Sequence, residues 1–180
     1  SSHPGCTETD MRHLADETSP TRLLVTHGRA TEAVKALFHD ENGLSPASNG
    51  HGQLSFSYLP ALTQTDYDHL LWACDLNFVR GEDSLVRALW AGRPFVWQIY
   101  PQDDGAHHAK LDAFLDWLDA PASLRRFHHA WNGLGDPDHA RWPAPDEFDA
   151  WGTCAQAARE RLLAQDDLVS QLLGFVAKKR

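Results

Sequence analysis

The sequence of 180 residues predicts an α/β fold: a Rossmann-like parallel sheet with helices on both faces. Between residues 21 and 100, short apolar runs typical of buried strands alternate with segments of helical period. Each helical segment is long enough to form a crossover between two parallel strands. The predicted order is therefore β-α-β-α-β-α-β, and further helices follow it.

Composition and charge indicate a soluble protein of one domain. Its hydrophobic content of 42% and charged content of 23% are ordinary for a globular chain. No apolar run reaches the roughly 18 residues that span a bilayer, so we expect no membrane partner and no signal peptide. Three widely spaced cysteines, Cys6, Cys74 and Cys154, are typical of reduced thiols and predict a cytoplasmic location. The formal charge of −9 argues against nucleic-acid binding, because a phosphate backbone attracts a basic surface.

The first part of the chain is predicted to begin irregularly and then to form a strand and a helix. Ser1–Pro20 has no clear period and precedes the predicted domain of residues 21–180. Arg22–Thr26 predicts a strand, and Ala30–His39 predicts a helix. The next segment, Glu41–Gly52, is rich in Gly, Asn, Ser and Pro, which is typical of a loop.

A second strand and helix are predicted before the central part of the sequence. In Gln53–Leu59, apolar and polar residues alternate, as they do in a half-buried strand. Thr65–Ala73 then has a helical period, and the side chain of Thr65 or Asp66 is expected to cap it.

The central strand, turn and helix carry the clearest local signals. Leu76–Val79 has strand character, and Gly81 permits a tight turn after it. Asp83 or Ser84 can cap the helix that follows. That helix is expected to end at Gly92, because glycine is common just after a helix and Pro94 follows.

One more strand and four helices complete the predicted order. Phe95–Tyr100 predicts a strand, in which Phe95, Trp97 and Ile99 are expected to be core residues. The predicted helices are Ala106–Leu118, Ser123–Trp131, Asp146–Ala164 and Asp167–Lys178.

The turn Arg80-Gly81-Glu82-Asp83-Ser84 is predicted to bind an anion. It lies at the carboxyl end of a parallel strand, where open α/β sheets bind their ligands. The first amides of the following helix have no partner in the helix, which favours an anion there. Arg80 can hold a pyrophosphate with two hydrogen bonds, or it can pair with Glu82 or Asp83 instead. Ser84 can offer a hydroxyl and an amide to phosphate, or either Ser84 or Asp83 can act simply as a cap.

A long stretch around this turn resembles a known family. The stretch from Cys74 to Leu118 reads CDLNFVRGEDSLVRALWAGRPFVWQIYPQDDGAHHAKLDAFLDWL, and the segment before it reads LPALTQTDYDHLLWACD. Both resemble the nucleotide-sugar half of EarP, the bacterial protein-arginine rhamnosyltransferases. Members of that family transfer rhamnose from dTDP-rhamnose to one arginine of translation elongation factor P. The resemblance covers about Thr21 to Leu118 and is fainter beyond.

The resemblance implies one half of a GT-B glycosyltransferase, in which two Rossmann-like domains face a cleft. Residues 21–180 would form the dTDP-rhamnose-binding domain, and the acceptor-binding amino-terminal domain would be absent from this sequence. The implied reaction inverts the sugar, needs no metal or cofactor, and has elongation factor P as its acceptor partner. The family's general base is an aspartate of the other domain, so the 180 residues alone are predicted to be inactive.

The resemblance also assigns roles in the turn. Glu82 matches a glutamate that is essential in the family, which implies a catalytic residue. The alternative is a purely structural role, in which Glu82 only stabilises the helix dipole. Asp83 matches a residue at the family's donor site. Arg80 and Ser84 would stabilise the charge of the departing diphosphate.

Three further residues are predicted to contact the donor. The family resemblance places Gln64 and Tyr67 beside the thymine base, the amide as a hydrogen-bonding group and the ring as a packing surface. The position of Tyr67 also fits a core residue at helical spacing. Tyr100 ends a predicted strand beside the turn, so its hydroxyl could reach the phosphates or the ribose.

The residues also bear on two alternatives to this function. The eleven histidines lack metal-site spacing, because His107-His108 and His128-His129 are adjacent pairs, so no metal site is predicted. The second alternative is a noncatalytic nucleotide-binding or partner-binding α/β module. Selectivity among dTDP, UDP and ATP would discriminate between this module and a transferase.

Overall fold

The structure, a computed structural model, describes residues 20–39, 54–102, 105–136 and 141–178. In these residues four strands alternate with helices, and further helices follow, in the predicted order. The strands are β1 (Thr21–Val25), β2 (Leu54–Tyr58), β3 (Asn77–Arg80) and β4 (Phe95–Gln98). The helices are α1 (Arg29–His39), α2 (Gln64–Ala73), α3 (Glu82–Ala91), α4 (Ala106–Leu118), α5 (Ala122–Trp131), α6 (Pro145–Leu163) and α7 (Leu168–Lys178). Residues 1–19 of the predicted irregular start (residues 1–20) and the predicted loop over residues 41–52 lie outside the described residues.

The strands form two parallel pairs. Strand β1 pairs with β2 from Thr21↔Leu54 to Val25↔Tyr58, and β3 pairs with β4 from Asn77↔Phe95 to Arg80↔Gln98. The predicted α/β class and parallel pairing are confirmed, but within the described residues no ladder joins the two pairs into one sheet. Local sequence patterns predict pairing inside each β-α-β unit, whereas pairing between units depends on tertiary packing.

Helix α2 begins one residue earlier than predicted, and its cap is a different residue. The hydroxyl of Thr63 accepts a hydrogen bond from the Asp66 amide at 3.1 Å and donates one to the Asp66 carboxylate at 2.7 Å. The prediction of Thr65 or Asp66 as the cap was therefore wrong. Thr63 takes this place because its extended backbone lets its side chain face the first turn.

Helix α3 also begins earlier than predicted, with Gly81 in the N-cap position and no side-chain cap. The prediction of Asp83 or Ser84 as the cap was therefore wrong, because both residues lie inside the first turn. Gly81 has a φ of 78°, which side-chain-bearing residues rarely adopt. The predicted end at Gly92 is confirmed, since its amide donates to the carbonyls of Ala88 and Leu89.

The core surrounds the β3–β4 pair. The predicted core residues Phe95, Trp97 and Ile99 are confirmed, with 2%, 1% and 4% of their surface exposed. Helix α4 adds Leu111 and Leu115, which lie four residues apart on one face and are fully buried. Burying a leucine of this kind contributes about 1.5–3 kcal/mol. Helices α3, α5 and α6 also contribute to the cluster, with Leu85, Ala88, Leu89, Leu124, Phe127, Trp151 and Ala158.

Helix α5 covers the outer edge of β4 through two side chains one turn apart. The amide of Trp97 donates to His128 Nε2 at 3.0 Å, and the amide of Ile99 donates to Asn132 Oδ1 at 2.9 Å. Asn132 Nδ2 returns a hydrogen bond to the Trp97 carbonyl at 2.9 Å. These side chains take the place of a neighbouring strand. Strand β4 ends at Gln98 rather than at Tyr100 as predicted, because its partner β3 ends at Arg80, which pairs with Gln98.

Helix α7 contrasts with the other helices because every described residue in it is exposed. Leu168 and Leu173 expose 70% and 66% of their surface, and Phe175 exposes 57%. An apolar helix of this kind is unusual on the surface of a soluble domain. At 11 residues it is too short to cross a bilayer, and none of the other described helices is both long and apolar enough to do so.

Candidate functional site

The turn after β3 is held firmly against β4 by its backbone. The carbonyl of Gly81 accepts hydrogen bonds from Trp97 Nε1 at 3.1 Å and from the Leu85 amide at 3.3 Å. The amide of Gly81 donates to the Gln98 carbonyl at 3.4 Å. Both polar groups of this buried glycine are therefore satisfied within the fold, which fixes the point where α3 begins.

Arg80, the last residue of β3, has an unpaired buried donor. Its guanidinium lies 5.1 Å from the centroid of the Tyr100 ring, in cation–π contact. Its Nε is buried and has no hydrogen-bond partner. The alternative in which Arg80 pairs with Glu82 or Asp83 is not realised, since these carboxylates bind Lys110 and Arg87 instead. A buried donor without a partner is rare in native proteins, so an external acceptor would satisfy it.

The start of α3 adds further unpaired donors beside Arg80. The amide of Leu85 is the first to bond within the helix, so the amides of Asp83 and Ser84 precede the helical ladder. Ser84 is half-buried, and it does not serve as the N-cap because Gly81 occupies that position. The guanidinium and the amide end of the helix together make this turn attractive to an anion.

Glu82, the predicted catalytic residue, is exposed at the start of α3. Lys110 Nζ of helix α4 lies 2.8 Å from its carboxylate. The pKa of Glu82 is lowered, first because the Lys110 ammonium donates this hydrogen bond. Glu82 is therefore a carboxylate at neutral pH. Lys110, which also lies 5.8 Å from the Trp97 ring centroid, was not among the predicted site residues.

Asp83 takes part in a charge network that joins two helices. Its Oδ2 lies 3.1 Å from Arg87 Nε, one turn further along α3. Arg87 Nη1 lies 2.9 Å from each carboxylate oxygen of Asp68, on helix α2. Sequence reasoning did not single out Arg87 or Asp68, because no local pattern marks contacts between residues 19 positions apart.

The two predicted base-contacting residues lie in the first turn of α2, which packs against α3. Gln64 is exposed and therefore free to meet a ligand. Tyr67 is half-buried and packs against the main core cluster, so the alternative of a packing residue applies to at least part of its ring. The structure thus places both residues on the helix beside the turn, while their contact with a base stays a prediction.

Tyr100 lies beside the turn, as predicted. Its ring is so close to Gly81 that a Cβ at that glycine would lie 2.8 Å from Tyr100 Cε2. The residue is 45% exposed, and its ring supports the Arg80 guanidinium. The structure therefore brings Arg80 and Tyr100 together beside Gly81, and Ser84 lies in the first turn of the helix that this glycine caps.

Other candidate sites are weaker within the part of the chain that the structure describes. No group of three His, Cys, Asp or Glu side chains there has a metal-site arrangement, and metal-free chemistry stays a prediction. A pocket of about 100 Å³ lies between α5 and α6, where Arg126 and Arg141 both approach Glu147. None of the predicted site residues lines it.

Comparison with known proteins identifies the family. The model of the family described as Elongation-Factor P (EF-P) rhamnosyltransferase EarP matches residues 6–177. The chain is 38% identical over 173 residues to the protein-arginine rhamnosyltransferase of Pseudomonas aeruginosa, a match that covers 93% of this chain and 46% of that protein. It is 41% identical over 175 residues to the Pseudomonas putida enzyme of the same name, covering 90% and 45%.

A solved structure described as "Structural basis for EarP-mediated arginine glycosylation of translation elongation factor EF-P" is also similar. It shares 32% identity and a TM-score of 0.76, and the match covers 96% of this chain and 57% of that one. The chain spans about half the length of the two Pseudomonas relatives. The resemblance inferred from the turn and its flanking strands is therefore confirmed, and the chain belongs to the EarP family of EF-P rhamnosyltransferases.

Proposed function

We propose that this chain is the donor-binding part of a glycosyltransferase, one half of a GT-B enzyme that acts in the bacterial cytoplasm. The complete enzyme would transfer rhamnose from dTDP-rhamnose to an arginine side chain of elongation factor P, with inversion and without a metal or cofactor. Membership of the EarP family supports the reaction class. The unpaired thiols of Cys74 and Cys154 are compatible with a reducing compartment.

The observation that carries this proposal is the unpaired, buried Nε of Arg80 beside the amide end of α3. A diphosphate placed there would accept hydrogen bonds from the guanidinium and from the amides of Asp83 and Ser84. When the bond to the sugar breaks, negative charge grows on the diphosphate. The same donors would then stabilise the departing dTDP, and this is the role that a metal plays in other enzymes.

The remaining predicted residues would complete the donor site. Gln64 and Tyr67 would contact the thymine base from the first turn of α2, and Tyr100 would hold the Arg80 guanidinium in place and reach the phosphates or ribose. Glu82 would favour positive charge at the anomeric carbon or on the incoming guanidinium. A carboxylate suits that task, and the hydrogen bond from Lys110, which lowers the pKa of Glu82, further favours the ionised form.

Titration calorimetry of this chain with dTDP, UDP and ATP tests the proposal. We expect dTDP to bind more tightly than UDP or ATP. Arg80→Ala should weaken dTDP binding about tenfold or more, because a hydrogen bond to a charged group contributes about 1.5–3 kcal/mol. The matched control is Arg141→Ala, which removes the same charge from an arginine that lies 3.6 Å from Glu147.

Two outcomes would contradict the proposal. If all three nucleotides bound equally, or none bound, the noncatalytic α/β module would be the better description. If Arg80→Ala and Arg141→Ala had the same effect, the buried guanidinium would not be the diphosphate ligand. We also expect no rhamnosylation of elongation factor P by these 180 residues alone, because the general base would belong to the family's other domain.

A further inference from the structure

The charge network centred on Arg87 connects the two parts of the proposed donor site. One of its carboxylates, Asp83, lies in the same turn as Arg80 and Ser84. The other, Asp68, is the next residue after Tyr67 and lies one turn from Gln64. A single guanidinium therefore bridges the predicted diphosphate-binding turn and the predicted base-binding helix.

The Arg87 guanidinium is not itself a promising ligand for phosphate. Its Nη1 lies 2.9 Å from each oxygen of Asp68, and its Nε lies 3.1 Å from Asp83. Two carboxylates surround one cation, so the group of three has a net charge of −1 and would not attract an anion. The side chains of Arg87 and Asp68 are also only 23% and 34% exposed, which leaves little room for a ligand.

The location of this contact along α2 gives it a specific effect. Hydrogen bonds from Asn77 Nδ2 to the Leu71 carbonyl and from Arg93 Nε to the Trp72 carbonyl, at 3.0 and 3.1 Å, fix the carboxyl end of α2. The bond between Asp68 and Arg87 instead holds the amino-terminal half, where Gln64 and Tyr67 lie. Without it, the base-contacting end could shift while the rest of the helix stays in place.

We infer that Arg87 and Asp68 are positioning residues that fix the distance between the base-binding and diphosphate-binding groups, and so determine selectivity for thymidine nucleotides. This inference rests on the proposed function, because it assumes that the base lies on α2 and the diphosphate at the start of α3. Arg87 acts through Gln64 and Tyr67 and need not touch the donor. Loss of the contact between Asp68 and Arg87 should weaken ligands that span both parts, while a ligand confined to the turn should bind as before.

The test compares dTDP with inorganic pyrophosphate, which can occupy only the turn. Calorimetric affinities are measured for the wild-type chain, Arg87→Met and the isosteric variant Asp68→Asn. We expect both variants to lose dTDP affinity about tenfold. Asp68→Asn leaves the ion pair between Arg87 and Asp83 in place, so its pyrophosphate affinity should change by less than about twofold. The control is Arg125→Met, which breaks a 2.7 Å ion pair with Asp116 and should change neither affinity.

A charge exchange provides the rescue. The double variant Asp68→Arg/Arg87→Asp restores opposite charges between the helices and should recover part of the dTDP affinity that each single exchange loses. Equal losses of dTDP and pyrophosphate affinity, or no loss of either, would overturn the inference. If the wild-type chain itself bound dTDP no better than UDP, the proposed function would fail first and this inference with it. If Arg87→Met did not fold, Asp68→Asn and the exchange would still decide.

Discussion

Gly81 shows how one residue organises the proposed site. It supplies the backbone conformation that turns β3 into α3, and the absence of a side chain lets the Tyr100 ring lie against it. Tyr100 in turn contacts the Arg80 guanidinium. A side chain at position 81 would therefore displace the Tyr100 ring, and the displaced ring would change the position of the Arg80 guanidinium.

We expect Gly81→Ala to destabilise the fold and to weaken dTDP binding. Its φ of 78° costs an alanine about 1–3 kcal/mol, and the new methyl group would lie 2.8 Å from Tyr100. Gly135→Ala is a close control, because Gly135 has a similar φ of 81° and no atom within 4 Å of a new Cβ. Urea unfolding and dTDP titration of both variants separate backbone strain from displacement of the ring. Equal losses of dTDP affinity would show that the tyrosine contact has no role.

At the scale of elements, the contact between α5 and the edge of β4 gives the protein a pH-dependent stability. His128 is fully buried, and its Nε2 must accept from the Trp97 amide, so its Nδ1 carries the proton and donates to the Leu124 carbonyl at 3.0 Å. The pKa of His128 is lowered to about 4, mainly by burial and to a smaller extent by the nearby His129 and Arg125, while the bond to Leu124 opposes the shift. Protonation of His128 Nε2 would place an N–H group against the N–H group of Trp97. Two donors cannot bond to each other, so the hydrogen bond between α5 and β4 would be lost.

We expect His128 to make the chain less stable as the pH falls from about 6.5 to about 4. In that interval the unfolded state binds a proton that the folded state excludes, so the contribution of His128 is complete above pH 6.5 and is lost toward pH 4. The loss is on the order of 3 kcal/mol. Urea unfolding at several pH values measures it.

Two variants isolate this effect. His128→Gln offers an oxygen acceptor to the Trp97 amide but does not titrate, so its stability should depend less on pH in this interval. His129→Gln changes the half-buried neighbour, which lies 2.7 Å from Asp112, and should leave most of the dependence in place. The same pH profile for His128→Gln and the wild type would rule out His128 as its source.

At the scale of the whole molecule, α7 differs from the other helices in how little of it is buried. None of its described residues is buried, and none belongs to that cluster. We expect a chain that ends at Ala164 to keep its melting temperature within about 4 °C and to bind less of a hydrophobic dye. Thermal unfolding followed by circular dichroism, together with dye fluorescence, checks both points. A large fall in melting temperature would show that α7 packs against the domain in solution.

The central β-α-β unit was predicted closely because its signals are local. Gly92 and Pro94 end α3 where the sequence indicated, and α4 has the predicted bounds of Ala106–Leu118. The N-cap residues were missed because several polar residues near each helix start were equally suitable. Only the backbone conformations of Thr63 and Gly81 decide between them.

The position of three candidate residues around the turn was predicted for the same reason. Arg80, Ser84 and Tyr100 could be placed together because they flank one short turn and the end of the adjacent strand. No local sequence pattern indicates that Lys110 pairs with Glu82, because the two residues are 28 positions apart. The same holds for Arg87 and Asp68, which are 19 positions apart. Such pairs form only when helices pack, so single-sequence reasoning has no access to them.

The sequence by itself determined the alternation of strands and helices, the polar turn after β3 and membership of the EarP family, because period, turn residues and motifs are written in consecutive positions. Only the tertiary structure decided that the strands form two pairs. It also decided that His128 and Asn132 form hydrogen bonds with the edge of β4, and that Arg87 links α2 to α3. These features depend on which surfaces meet in space. That choice is made by the packing of the whole chain rather than by any segment of it.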